Sequence, residues 1–99
     1  MSKPELIRYE ISPNLVASAA STETVILDYE AGKYFSLDEV GSFVWEKLKK
    51  DGPISLEQLC TEVTREYAVA EEECRKDLSA LLLDLEKNGL IKKAFPEQV

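Results

Sequence analysis

The residues able to do chemistry in this 99-residue chain are few, and none is a histidine. Without imidazole the chain lacks the usual general base and the commonest zinc ligand. Two cysteines, Cys60 and Cys74, remain, but they lack CxxC spacing. Each falls on the apolar stripe of a predicted helix, the pattern of a reduced, buried side chain rather than of a reactive or metal-binding thiol. Carboxylates are plentiful, yet runs such as Glu71-Glu72-Glu73 have the spacing of solvated helix faces, and a serine or cysteine nucleophile would have no activating base. The expectation is a protein that is not an enzyme, with no catalytic residues, no metal ligands and no cofactor.

What calls for explanation instead is the stretch GKYFSLDEVGSFVW, residues 32–45, which joins a glycine turn, a short aromatic strand, a helix cap and the only tryptophan. The elements around it are readable from pattern. Residues 6–11, LIRYEI, alternate loosely and read as a strand or an extended arm, ended by Ser12-Pro13-Asn14. Leu15 to Ala20 is a second, weaker strand, and Glu23 to Tyr29 the clearest one, with Val25, Leu27 and Tyr29 on one face and Ile26 and Asp28 on the other. Glu30-Ala31-Gly32 makes a tight turn with glycine at the positive-φ position, returning Lys33 to Leu37 antiparallel. Three such strands form a meander that needs helices on one face.

Three helices follow. Ser36-Leu37-Asp38-Glu39 fits a capping box with Ser36 as the cap, opening a helix to about Lys50 that Asp51-Gly52-Pro53 stops. Val40, Val44 and Leu48 form its inner stripe, and Gly41 beside Trp45 reads either as a mark of another element passing close to its backbone or, preferably, as a packing glycine next to a core tryptophan. Ser55 caps a second helix with Leu56, Leu59, Cys60, Val63 and Tyr67 at helical spacing. After Ala68-Val69-Ala70 a third carries Cys74, Leu78, Leu81 and Leu85 on one stripe with Leu82 on its flank, and ends at Asn88-Gly89 with Gly89 as a left-handed cap. The fold class is α+β: a three-stranded antiparallel sheet followed by three helices, winged-helix-turn-helix-like, as a single domain over residues 1–99, with 1–13 as an arm or extra strand and 94–99 as a tail.

Charge speaks against nucleic acid. The net charge is −7, and the third helix carries six acids (Glu71, Glu72, Glu73, Asp77, Asp84, Glu86) against three bases (Arg75, Lys76, Lys87), the wrong sign for a recognition helix in a major groove. The opening MSKPELIRYE is too charged for a signal peptide and the apolar runs are far too short for a membrane span, so a cytoplasmic protein with no membrane partner is expected.

The run VILDYEAGKYFSLDEVGSFVWEKL, then ISLEQLCTEVTREYAV, then DLSALLLDLEKNGLI, resembles the PqqD-like family, the small leader-peptide recognition elements of ribosomal peptide pathways. The similarity covers about residues 14–93. Its most specific parts are the Leu-Asp before the turn, the Gly-x-Tyr-x-x-Leu-Asp passage into the helix bearing Gly41 and Trp45, and the helix from Asp77-Leu78 to Gly89-Leu90. Members of that family bind a precursor's leader as an added strand beside the third strand of the sheet, over the third helix. The resemblance therefore implies a peptide site at Lys33, Tyr34, Phe35 and Ser36, with side-chain pockets toward Leu78, Leu81 and Leu82. Either Tyr34 or Phe35 must face the core, and Arg75, Asp77 and Leu82 flank the leucine stripe on different sides, leaving open which flank lines the groove.

Among subfamilies, the chain looks most like the recognition protein of lasso-peptide pathways. There the partners are the precursor leader, a separate cysteine protease acting as leader peptidase, and indirectly the ATP-dependent cyclase. The alternatives are a carrier of the pyrroloquinoline quinone pathway, serving a radical enzyme, and a winged-helix DNA-binding regulator. In this reading the aromatic strand is short, fronted by Lys33, because an edge left open for one guest must resist aggregation.

Overall fold

The computed structural model describes residues 7–20 and 23–94. Four strands precede the first helix: β1 (Arg8–Ile11), β2 (Leu15–Ala20), β3 (Glu23–Asp28) and β4 (Lys33–Leu37). The last three form the expected antiparallel meander, in the order β2-β3-β4, with Leu15 opposite Asp28 and Ile26 opposite Phe35. Side-chain alternation sorts its faces. Thr24, Ile26 and Leu37 are buried and Phe35 half-buried on the inner face, whereas Val16, Val25, Tyr34 and Ser36 are exposed on the outer one. The β3–β4 turn closes as its sequence requires: Gly32 has φ +68°, its N–H donates to the Asp28 carbonyl at 2.7 Å, and the Ala31 N–H donates to Asp28 Oδ1 at 3.1 Å.

The rest of the chain is α1 (Glu39–Asp51), β5 (Ile54–Ser55), α2 (Leu56–Glu66), α3 (Glu71–Lys87) and β6 (Ile91–Ala94). Ser55 caps α2 as expected, accepting the Gln58 N–H at 3.2 Å. The cap of α1 is Asp38, not Ser36: Asp38 Oδ1 accepts the Gly41 N–H at 2.8 Å. Ser36 is still in the β4 ladder, opposite Val25, so its backbone is committed to the sheet two residues before the helix begins. The crowding at Gly41 also has a nearer source than another element. A Cβ there would lie 3.2 Å from both the Leu37 Cβ and the Asp38 carboxylate, so the glycine makes room for its own cap.

The structure adds a second sheet, in the order β5-β1-β6. Residues 8–11, expected as part of an arm or an extra strand, are its central strand, with Tyr9 opposite Ile54 on one side and Lys93 on the other. The C-terminal residues expected as a tail begin in β6 at Ala94; residues 1–6 and 95–99 lie outside the described part. α1 contacts both sheets and α2, and one core cluster draws Ile26 and Leu37 from the meander, Val44, Trp45 and Leu48 from α1, Leu59 and Val63 from α2, and Ile54 and Ile91 from the second sheet. Cys60 and Cys74 are free and buried between α2 and α3, where burial first, then the neighbouring Cys74, pushes the Cys60 thiol up to about 11. Among the described residues no helix is long and apolar enough to cross a membrane.

α3 departs from its expected facing by one residue. Cys74, Leu78, Leu82 and Leu85 are its buried line, and Leu82 is 2% exposed, so it is core rather than flank. Steps of four, four and three keep these side chains in register on the helix, leaving Leu81 half-buried at the edge.

Candidate functional site

β4 pairs with β3 along one side, and among the described residues no strand pairs with the other. Alternate residues of β4 therefore send their N–H and C=O groups away from the sheet, a row of unmet donors and acceptors. The helix beyond this edge is α3. It is fixed at its far end by Gly89 (φ +76°), whose N–H donates to the Glu86 carbonyl at 3.0 Å while the Leu90 N–H donates to the Leu85 carbonyl at 2.9 Å. This pair of bonds lets Leu90 fold back beneath the helix, fully buried.

Between the edge and the helix lies a groove made of two adjoining pockets. The first, about 330 Å³, has Phe35 to Asp38 on its strand side and Leu81, Asp84, Leu85 and Asn88 on its helix side, with Leu90 at its base. The second, about 280 Å³, is bounded by Val40 and Gly41 of α1, Val63 of α2, Val69, and Cys74, Asp77 and Leu78 of α3. Asp38 and Leu81 belong to both. The groove thus follows α3 from Asn88 back to Cys74, about 20 Å of helix, or roughly six residues of extended strand. Among the described residues, its charged lining residues are all carboxylates: Asp38, Asp77 and Asp84.

The residues singled out from sequence divide clearly. Phe35, Ser36, Asp77, Leu78 and Leu81 line the groove, Leu81 at its middle. Lys33 and Tyr34 are on β4 outside the two pockets, Lys33 paired with Asp28 at the turn and Tyr34 70% exposed on the outer face. Arg75 turns toward α2, where its guanidinium meets Glu57 at 3.2 Å, and it also reaches Glu71 of its own helix at 3.9 Å. Leu82 faces the core and lines neither pocket. Sequence reasoning missed several lining residues, among them Leu37, Asp38, Asp84 and Asn88. The last two were within reach, since they lie three and seven residues beyond Leu81 and so share its side of the helix.

A family model described as "Coenzyme PQQ synthesis protein D (PqqD)" matches residues 23–91. The chain belongs to the PqqD family. The PqqD match runs from β3 to the first residue of β6 and so takes in both walls of the groove. Two solved structures share the fold. One is TbiB1 in complex with the TbiA(beta) leader peptide, 30% identical, with a TM-score of 0.77 over 84% of this chain and 94% of that one. The other is a lasso peptide synthetase B1 complexed with the leader peptide, 22% identical, with a TM-score of 0.74 over 86% of this chain and 98% of that one. A search of curated proteins gave no significant match.

Proposed function

We propose that this PqqD-family domain binds the leader segment of a ribosomally made precursor peptide as a strand added to β4 over α3, and presents it to a separate leader peptidase in lasso-peptide maturation. The observation that carries the reading is a β4 edge left unpaired among the described residues, running beside a groove that sets leucines between carboxylates. Main-chain hydrogen bonds from Lys33 to Ser36 hold the guest whatever its sequence, and the side chains it turns toward Phe35, Leu78 and Leu81 select it. The TbiB1 complex with its leader, 30% identical over most of both chains, supports that partner. Presentation to the peptidase rests on the lasso-pathway likeness, and in it the domain supplies binding and no catalytic group.

The family description also favours a second reading, the peptide carrier of a radical modifying enzyme. Its groove and mode of binding would be the same; only the enzyme receiving the peptide differs. Amide hydrogen exchange tests the part both readings share. On adding the leader encoded by a neighbouring precursor gene, the outward amides within Lys33 to Ser36 become protected, because strand addition satisfies donors that otherwise face water. Unchanged exchange there at saturating leader places the peptide elsewhere and defeats both.

A further inference from the structure

We propose that the leader taken by this groove is basic, carrying lysine or arginine at alternate positions on either side of an apolar residue, with the cations held by Asp77 and Asp84 and the apolar residue on Leu81. This deepens the leader-binding reading and rests on it. Asp77, Leu81 and Asp84 are four and three residues apart, which puts them on one side of α3 with about 6 Å and about 4.5 Å of rise between them. In an extended guest, residues i, i+2 and i+4 share a face about 6.8 Å apart. Long flexible cations absorb the small mismatch, so acid, leucine and acid on the helix read cation, apolar and cation on the strand.

The carboxylates are also unspent. Elsewhere Glu57 meets Arg75, Glu62 meets Lys47, Glu86 meets Lys93 and Glu10 meets Lys92. Among the described residues, neither Asp77 nor Asp84 has a cation within 4 Å, and Asp38, the third acid of the groove, spends one oxygen on its own helix. Among the described residues, lysine and arginine are absent from the lining of both pockets. A neutral strand laid over them would desolvate carboxylates without compensation, and an acidic one would add repulsion. A basic strand removes both costs and is drawn in by a domain of net charge −7.

The test uses three synthetic forms of the leader encoded beside this gene: the natural peptide, one with every Lys and Arg replaced by Gln, and one with its apolar residues replaced by Ser. Affinities are read by fluorescence polarisation at 50 and 500 mM salt, against the wild-type domain and an Asp77→Asn, Asp84→Asn double variant. The Gln peptide should bind the wild-type domain about tenfold more weakly at low salt, with the gap closing at high salt. The double variant should lose as much for the natural peptide and nothing further for the Gln peptide, while its melting curve stays that of the wild type. Equal affinity of natural and Gln peptides, or tight binding of a leader without basic residues, overturns the proposal and leaves leader binding standing. If no peptide binds, or the Ser peptide binds as well as the natural one, the groove reading itself fails and this proposal with it.

Discussion

Leu81 and Leu82 are adjacent in sequence and opposite in environment, so truncating each in turn separates folding from binding. Leu82 is 2% exposed within the core cluster. Its replacement by alanine leaves a cavity, and such changes cost about 2–5 kcal/mol. At about 4–8 °C per kcal/mol for a domain of this size, Leu82→Ala should melt at least about 8 °C below the wild type. Leu81 is half-buried and borders both pockets, so part of its surface is already in water. A fully buried leucine contributes about 1.5–3 kcal/mol, and the part left for a guest to cover is worth about 1 kcal/mol. Leu81→Ala should therefore keep most of the melting temperature and weaken leader binding about fivefold. Circular dichroism melts and leader titrations on the two variants make the comparison. A Leu81→Ala domain that melts as low as Leu82→Ala, or that binds leader like the wild type, refutes the assignment of Leu81 to the groove.

The caps give a second contrast: Asp38→Ala should cost about 1 kcal/mol in urea unfolding while Ser36→Ala costs a few tenths at most, and equal losses would return the cap to Ser36. Thr24 Oγ1 is buried without a hydrogen-bond partner. Thr24→Val keeps the shape and removes the orphan hydroxyl, so it should stabilise by about 1 kcal/mol, and a lower urea midpoint would count against that burial. The Cys60 thiol titrates near 9.0 when unfolded and about 11 when folded, so the folded state holds the proton more tightly. Stability from this group is complete below pH 9 and lost as the pH rises toward 11. Cys60→Ala should flatten that part of the pH–stability curve, and an unchanged slope would show that the thiol does not titrate there.

Much of this could be read from the chain because local chemistry leaves few options. Gly32 closes a hairpin that no β-branched residue could, Ser55 sits immediately before an apolar helical pattern, and Asn88-Gly89 followed by Leu90 can hardly be anything but a helix end. The second sheet was hidden for the opposite reason. β5 has two residues and pairs with a strand more than forty positions earlier, so nothing local marks it. The cap of α1 went to Ser36 because Ser-x-x-Glu is a real capping signal; only the ladder, which holds Ser36 opposite Val25, shows that the strand has not yet ended there. In α3, Leu81 and Leu82 both continue a spacing from Leu78, by three and by four residues, and two leucines differ in nothing that sequence records. Facing was decided by what the other elements present to the helix.

The order β5-β1-β6 bears on how the chain is made. Its centre strand leaves the ribosome first, while both neighbours follow some forty to eighty residues later. The meander and α1 can assemble during synthesis from contacts close in sequence, but β1 must wait, its backbone groups open to water and to other chains, until residue 94 has emerged. Translation speed and chaperone access over the last third of the message therefore bear on this sheet more than on any other part of the fold.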